Sequence, residues 1–219
     1  MKKLLATLIA LTLILTMAAM AATKDEALTT AQQLAGEQAA LVESDEDGGI
    51  YEFEFRDDAA RYDVDILSAS GDVVSFETEF SGVARATQVV LTEADAQDRV
   101  LAKFPTAQFY LTVAEKDDDG CTFEVFFADG EVLCEATVNA ETGDLLRLET
   151  YPAAKGLLTA DQVPAKVTAQ AEGAAIVELE LSFDDGKYVY EGEAEVNGKR
   201  YSFELDAATG NVLEWEIDD

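Results

Sequence analysis

Tyr201-Ser202-Phe203-Glu204-Leu205-Asp206-Ala207-Ala208-Thr209-Gly210-Asn211-Val212-Leu213 is the stretch that decides the fold. Tyr201, Phe203 and Leu205 alternate with Ser202, Glu204 and Asp206, the period-two pattern of a half-buried strand. Ala207 to Gly210 breaks the pattern, and a glycine there supplies positive φ at little cost. The alternation of Leu213, Trp215 and Ile217 predicts a following strand with those side chains facing in. Upstream, Asn197-Gly198 signals a tight hairpin. Before it, Tyr188, Tyr190 and Ala194 share one face against Glu191, Glu193 and Glu195. Asp184-Asp185-Gly186 turns the chain, and Val177, Leu179, Leu181 and Phe183 alternate with Glu178, Glu180 and Ser182. The reading is an antiparallel meander with one apolar and one acidic face.

The phrase recurs twice upstream. Ser68-Ala69-Ser70-Gly71 and Asn139-Ala140-Glu141-Thr142-Gly143 align with Asp206 to Gly210, their glycines 72 and 67 residues apart. Thr23-Lys24-Asp25-Glu26, Thr92-Glu93-Ala94-Asp95 and Thr159-Ala160-Asp161-Gln162 each put a threonine three residues before an acid or amide. That is a capping box opening a helix, and the threonines lie 69 and 67 residues apart. Two independent markers with nearly one period make an internal repeat. In the first copy Tyr51, Phe53 and Phe55 precede Tyr62, Val64 and Ile66, then Val74, Phe76 and Phe80. Its opening strand is a short stretch around Ala40 to Val42. In the second, a strand from Phe109 to Glu115 precedes Phe123, Val125 and Phe127, then Cys134, Ala136 and Val138, then Leu146 and Leu148. Pro164 falls just inside the third helix and should bend its first turns. The fold class is α+β: tandem repeats over residues 22–81, 91–150 and 157–219, each one helix on three or four antiparallel strands. A unit this small is marginal alone, so neighbours should pack through sheet edges or helix faces. Gly82 to Val90 and Tyr151 to Gly156 read as linkers.

The threonine-capped helix, the aromatic and acidic strand and the closing Ala-x-Thr-Gly turn resemble the PepSY family. The third copy fits best, the second fits well from Leu91 to Glu149, and the first is degenerate because Ser70-Gly71 replaces Thr-Gly. The family occurs in propeptides of secreted metallopeptidases and in bacterial exported or membrane-attached proteins. The resemblance therefore implies restraint or regulation of peptidases outside the cell. The family shares no catalytic residues, so the resemblance assigns none here. No peptidase sequence follows the third copy, so the expected form is a stand-alone modulator acting in trans.

Residues 1–21 read as a signal peptide: Lys2 and Lys3, an apolar run from Leu4 to Met17, then Ala19-Met20-Ala21 as a cleavage site. The run is also long enough for an uncleaved N-terminal anchor. The expected location is secreted or extracytoplasmic. The chain of 219 residues carries a formal charge of −30, and −32 without the first 21 residues. Such a surface excludes nucleic acid as a partner and argues against an anionic membrane. It favours solubility, with attraction to basic partners or multivalent cations as the sharper reading. If Asp129-Gly130 is a two-residue hairpin loop, Cys134 lies opposite Val125 and Cys121 opposite Val138. The sulfurs are then about 13 Å apart along the strands, too far to bridge, and both cysteines should be free and buried.

There is no histidine, which removes the commonest general base and every histidine-containing triad. Serine-x-x-lysine, P-loop and dinucleotide-binding signatures are also absent from the sequence. With 45 acids, some close carboxylate pair is inevitable and carries no information. Glu43-Ser44-Asp45-Glu46-Asp47-Gly48, running on to Glu54, approaches a calcium loop. It starts with Glu rather than Asp, and a strand pattern follows it. Asp117-Asp118-Asp119-Gly120 has Phe126 at the last ligand position. Both are read as solvated turns. The aromatic column Tyr51, Phe123 and Tyr190 is read as core packing before a binding platform. No catalytic, cofactor or metal residue is assigned. The expectation is a non-enzymatic protein that modulates or inhibits a secreted or membrane peptidase by protein–protein binding. The alternative is an envelope structural or ligand-binding protein that takes cations or basic peptides on its acidic sheet faces.

Overall fold

The computed structural model describes residues 21–117, 120–130, 132–151, 156–184 and 187–217. The expected signal peptide thus lies almost wholly outside the described residues. So do most of the acidic turn at 117–120 and parts of the 151–156 linker and the 184–186 turn. Among the described residues no helix is long and apolar enough to cross a membrane.

A helix followed by four strands occurs three times. The first series is α1 (Lys24–Ala35), β1 (Ala40–Asp47), β2 (Ile50–Arg56), β3 (Ala60–Leu67) and β4 (Val73–Phe80). The second is α2 (Glu93–Leu101), β5 (Gln108–Asp117), β6 (Gly120–Asp129), β7 (Val132–Asn139) and β8 (Leu145–Tyr151). The third opens with a 3-10 turn (Ala160–Gln162), then α3 (Val163–Gln170), β9 (Ala175–Asp184), β10 (Lys187–Val196), β11 (Lys199–Asp206) and β12 (Val212–Ile217). The predicted caps explain the helix starts. The Glu26 N–H donates to Thr23 Oγ1 at 3.3 Å and the Thr23 N–H to Glu26 Oε2 at 2.9 Å. Thr92 and Asp95 repeat the exchange at 3.2 and 2.9 Å. In the third copy the Thr159 N–H donates to Gln162 Oε1 at 2.9 Å. The 3-10 turn there lets the α-helix begin at Val163. Pro164 therefore occupies the first α-helical turn, where its missing donor costs nothing, and it bends no established turn.

The first two series do not make separate sheets. They share one of eight strands, ordered β1-β2-β3-β4-β8-β7-β6-β5. The join is β4 antiparallel to β8, with Phe76 opposite Thr150, Glu77 opposite Glu149 and Thr78 opposite Leu148. With Gly71 laid on Gly143, Phe76 corresponds to Leu148 and Thr78 to Thr150. The join thus repeats itself about the Glu77–Glu149 pair. Ala27, Ala31 and Leu34 of α1 pack with Phe53, Phe55, Val64 and Ile66. Ala96 and Val100 of α2 pack with Phe123, Val125, Phe127, Ala136 and Val138. Both helices cover the same face, where a buried Phe or Leu contributes about 1.5–3 kcal/mol.

The third series forms its own sheet, β12-β11-β10-β9, with Val163 and Val167 of α3 against Tyr190, Phe203 and Leu205. Tyr190 is fully buried, and its hydroxyl donates to the Leu158 carbonyl at 2.8 Å. Leu111, Phe126 and Leu133, from the other face of the large sheet, belong to the same core. The third copy therefore packs onto a face of the large sheet instead of extending an edge.

Several local expectations shift. β1 runs eight residues to Asp47 and is exposed throughout. Asp129 pairs with Val132, which moves the hairpin by one residue and places Cys134 opposite Phe127, two residues from Val125. Faces are preserved, and both cysteines are free and buried. The larger shift is a bulge repeated in all three last hairpins. It puts Val73 opposite Ile66, Leu145 opposite Val138 and Val212 opposite Leu205. The inward residues are one position earlier than strict alternation gives for Val74, Leu146 and Leu213, and Leu213 is half exposed. A second bulge, in β9, puts Ile176 opposite Ala194 and turns Val177 outward. An extra residue in one strand flips every side chain beyond it.

Candidate binding face and cleft

With both helices on one face, the other face of the large sheet carries the alternate, polar residues. Register lines them up. Glu43, Glu54, Asp63, Glu77, Glu149 and Glu135 stand opposite one another on six neighbouring strands. The row continues into Phe126 and Leu111. Like charges directly opposite in a sheet are destabilising, so the adjacent row matters. There Arg56, Arg61, Glu79, Arg147, Thr137 and Glu124 follow in order.

The arginines bind sideways into the acid row. Arg56 Nε lies 2.8 Å from Glu54. Arg61 Nε lies 2.8 Å from Asp63 and 3.8 Å from Glu54, and its Nη1 is 3.6 Å from Glu79. Arg147 reaches Glu135 at 3.0 Å, Glu77 at 3.7 Å and Glu149 at 4.0 Å. Arg61 and Arg147 each answer three acids, so the face stays strongly negative. Burial raises the carboxyls of Asp65, Glu77 and Glu149, with Arg147 opposing the rise at the two glutamates. Burial pushes Glu124 up to about 7, aided by Glu135 and Glu115, while the hydrogen bond it accepts from the Thr137 hydroxyl at 2.9 Å works against the rise.

At its far end the face enters a cleft of about 360 Å³ beneath the small sheet. Its floor is Leu111, Val113, Glu115, Glu124, Phe126, Leu133, Glu135, Arg147 and Tyr151; residues 178–182 of β9 and Tyr188 form the roof. Consecutive β9 residues line it, so β9 presents an edge rather than one face. The Tyr151 hydroxyl donates to Glu135 at 3.0 Å. Apolar wall, carboxylates and a single guanidinium suit an amphipathic cationic group. A second unpaired edge is β1, at one end of the large sheet, where Leu41 and Val42 are exposed beside Glu43 to Asp47.

The sequence candidates fall elsewhere. Glu43 to Asp47 is strand, not a loop, and only Gly48-Gly49 turns the chain, since Asp47 pairs with Ile50. It cannot wrap an ion as a calcium loop does. Among the described residues no group of three or more acids or cysteines is placed to hold a metal ion. Phe123 and Tyr190 are core, and Tyr51 packs against it, so the aromatic column is no platform. The acid row was visible only as one acid per strand, because its alignment depends on register.

Residues 157–216 match the family described as peptidase propeptide and YPEB domain, PepSY. The third copy is therefore a PepSY domain. No curated protein matches this chain. Among solved structures, this chain is similar to the C-terminal domain of Bacillus megaterium YpeB, at 14% identity and TM-score 0.36, over 91% of this chain and 99% of that one. It is also similar to a BLIP-like protein from Bacteroides fragilis NCTC 9343, at 15% identity and TM-score 0.25, over 59% of this chain and 87% of that one. Both likenesses are loose.

Proposed function

We propose that this PepSY-domain protein is an exported, non-enzymatic regulator that binds an extracytoplasmic peptidase through protein–protein contact. The observation that carries the reading is the under-neutralised acid row running into an amphipathic cleft, a surface built to hold a basic segment of another protein. The family description, with its peptidase propeptides, supplies the class of partner. An extended segment of that partner can also add to the free β1 edge, gaining main-chain hydrogen bonds. Chemistry is not required of the site, and the chain has no histidine to provide the commonest acid–base group.

The test uses the purified protein and the peptidases secreted by the same organism. Retention of a peptidase, with slower peptide hydrolysis in its presence, is the expected result. A second reading rests on the cleft alone: an envelope protein that takes basic peptides or organic cations without any peptidase. Retention of cationic material only, with hydrolysis unchanged, would leave that second reading standing and end the first.

A further inference from the structure

We propose that the joint between the small sheet and the large one is a proton-controlled gate, closed when the carboxylates facing across the cleft share protons and opened when they ionise. Such a gate would operate whatever the partner's identity.

Two sets of contacts compete at this joint. Leu111, Phe126 and Leu133 are 7%, 6% and 1% exposed although they stand on the polar face of the large sheet, and they share a core with Leu157 and Leu181. Lifting the small sheet would return that surface to water, so apolar burial holds the joint shut. Charge pushes the other way. Glu115 of β5, Glu124 of β6 and Glu135 of β7 line the floor, and Glu178 and Glu180 of β9 line the roof. Glu191 of β10 stands opposite Glu180, where it accepts a hydrogen bond from Ser182 at 2.6 Å. Glu77 of β4 and Glu149 of β8 border the floor. The cation of the lining is Arg147, already shared among Glu77, Glu135 and Glu149. The phenols of Tyr151 and Tyr188 complete the titratable groups of the lining, and burial raises both.

The carboxyls register this opposition. Burial raises Glu180, followed by Glu191, Glu115, Glu135 and Glu178, and two of those four lie across the cleft. Glu124, at about 7, is raised by burial and then by Glu135 and Glu115. Groups raised in the closed form bind protons more tightly there than when open to water. Closure is therefore strongest below the usual carboxylate range, weakens as pH rises toward about 7, and levels off above it. A carboxyl that holds its proton about tenfold more tightly in the closed form changes the closing constant by the same factor across that range. Contacts between domains of one chain commonly allow such motion.

The test is small-angle scattering and dye binding on the purified protein at about pH 5 and about pH 8, at one ionic strength, with circular dichroism alongside. The expected result is a larger radius of gyration and more bound hydrophobic dye at the higher pH, with unchanged secondary structure. The double substitution Glu124→Gln with Glu180→Gln should stay compact at both values. If that variant does not fold, Glu115→Gln with Glu178→Gln replaces it. Equal dimensions of the parent protein at the two pH values overturn the proposal. So does expansion accompanied by lost secondary structure, or an expansion that the glutamine variants share in full.

Discussion

The first and second copies meet edge to edge, while the third meets the large sheet on its face. At the first joint, backbone hydrogen bonds between β4 and β8 continue a ladder, and both helices lie on one side. At the second, leucine and phenylalanine side chains hold a strand edge above a bed of glutamates. Main-chain pairing depends little on which side chains stand on the open face. It tolerates Glu77 opposite Glu149 because Arg147 lies 3.7 Å from one and 4.0 Å from the other. Side-chain packing has no such indifference. The second joint should be the softer one, and the one that responds to solvent.

The largest expected effect breaks the first joint. Thr78→Pro in β4 puts a residue without a donor into the middle of an eight-stranded sheet. It should cost about 3 kcal/mol or more, and urea unfolding should show both leading copies lost together. Next, Leu133→Ala empties a site that is 1% exposed at the second joint. A loss of about 2–4 kcal/mol is expected, and the transition should split in two because only the third copy is released. Coincident single transitions would show that the joints are equally firm.

Smaller effects sharpen the contrast. Arg147→Met leaves three carboxylates less well answered, and for a side chain this exposed about 1 kcal/mol is expected at neutral pH. The loss should shrink as pH falls and the glutamates protonate. For the parent protein, the raised carboxyls of Asp65, Glu77, Glu124, Glu149 and Glu180 cost stability progressively as pH climbs from the ordinary carboxylate range toward about 7. The lowered carboxyls of Glu26, Asp95 and Asp206, held by threonine and backbone donors, act in the opposite sense. Their contribution is present above the usual range and is lost in stronger acid. Thermal melting should therefore peak near pH 5, and a maximum above pH 8 would contradict the assignment. The smallest change is Thr23→Ala, about 1 kcal/mol from loss of a helix cap, confined to the first joint's side of the molecule.

Local chemistry was legible in the sequence. Thr23, Thr92 and Thr159 mark the helix starts, Asn197-Gly198 makes its two-residue turn with φ of 53° and 77°, and Gly71, Gly143 and Gly210 take positive φ. Bulges were not legible, because alternation only reports parity. Val74, Leu146 and Leu213 keep a strict period with Phe76, Leu148 and Trp215, while Val73, Leu145 and Val212 reach the same face only across an extra residue. The choice is made by the Gly71, Gly143 and Gly210 turns, which close on Leu67, Asn139 and Asp206. The sequence predicts a short β1 because Glu43 to Asp47 has no apolar alternation. An edge strand facing solvent needs none. The cleft was invisible for a further reason: it joins residues of β5 to β8 to β9, and no local pattern reports how one copy packs on another.

The register about Glu77 and Glu149 has one more consequence. Each partner offers the same strand at the same positions, so the joint is isologous, like the contact of a symmetric dimer written into one chain. An isologous contact is complete with two members. The last strand of each copy is used up by the other, and nothing equivalent remains for a third. Repeats that join this way count in pairs, and an odd copy must find another kind of seat.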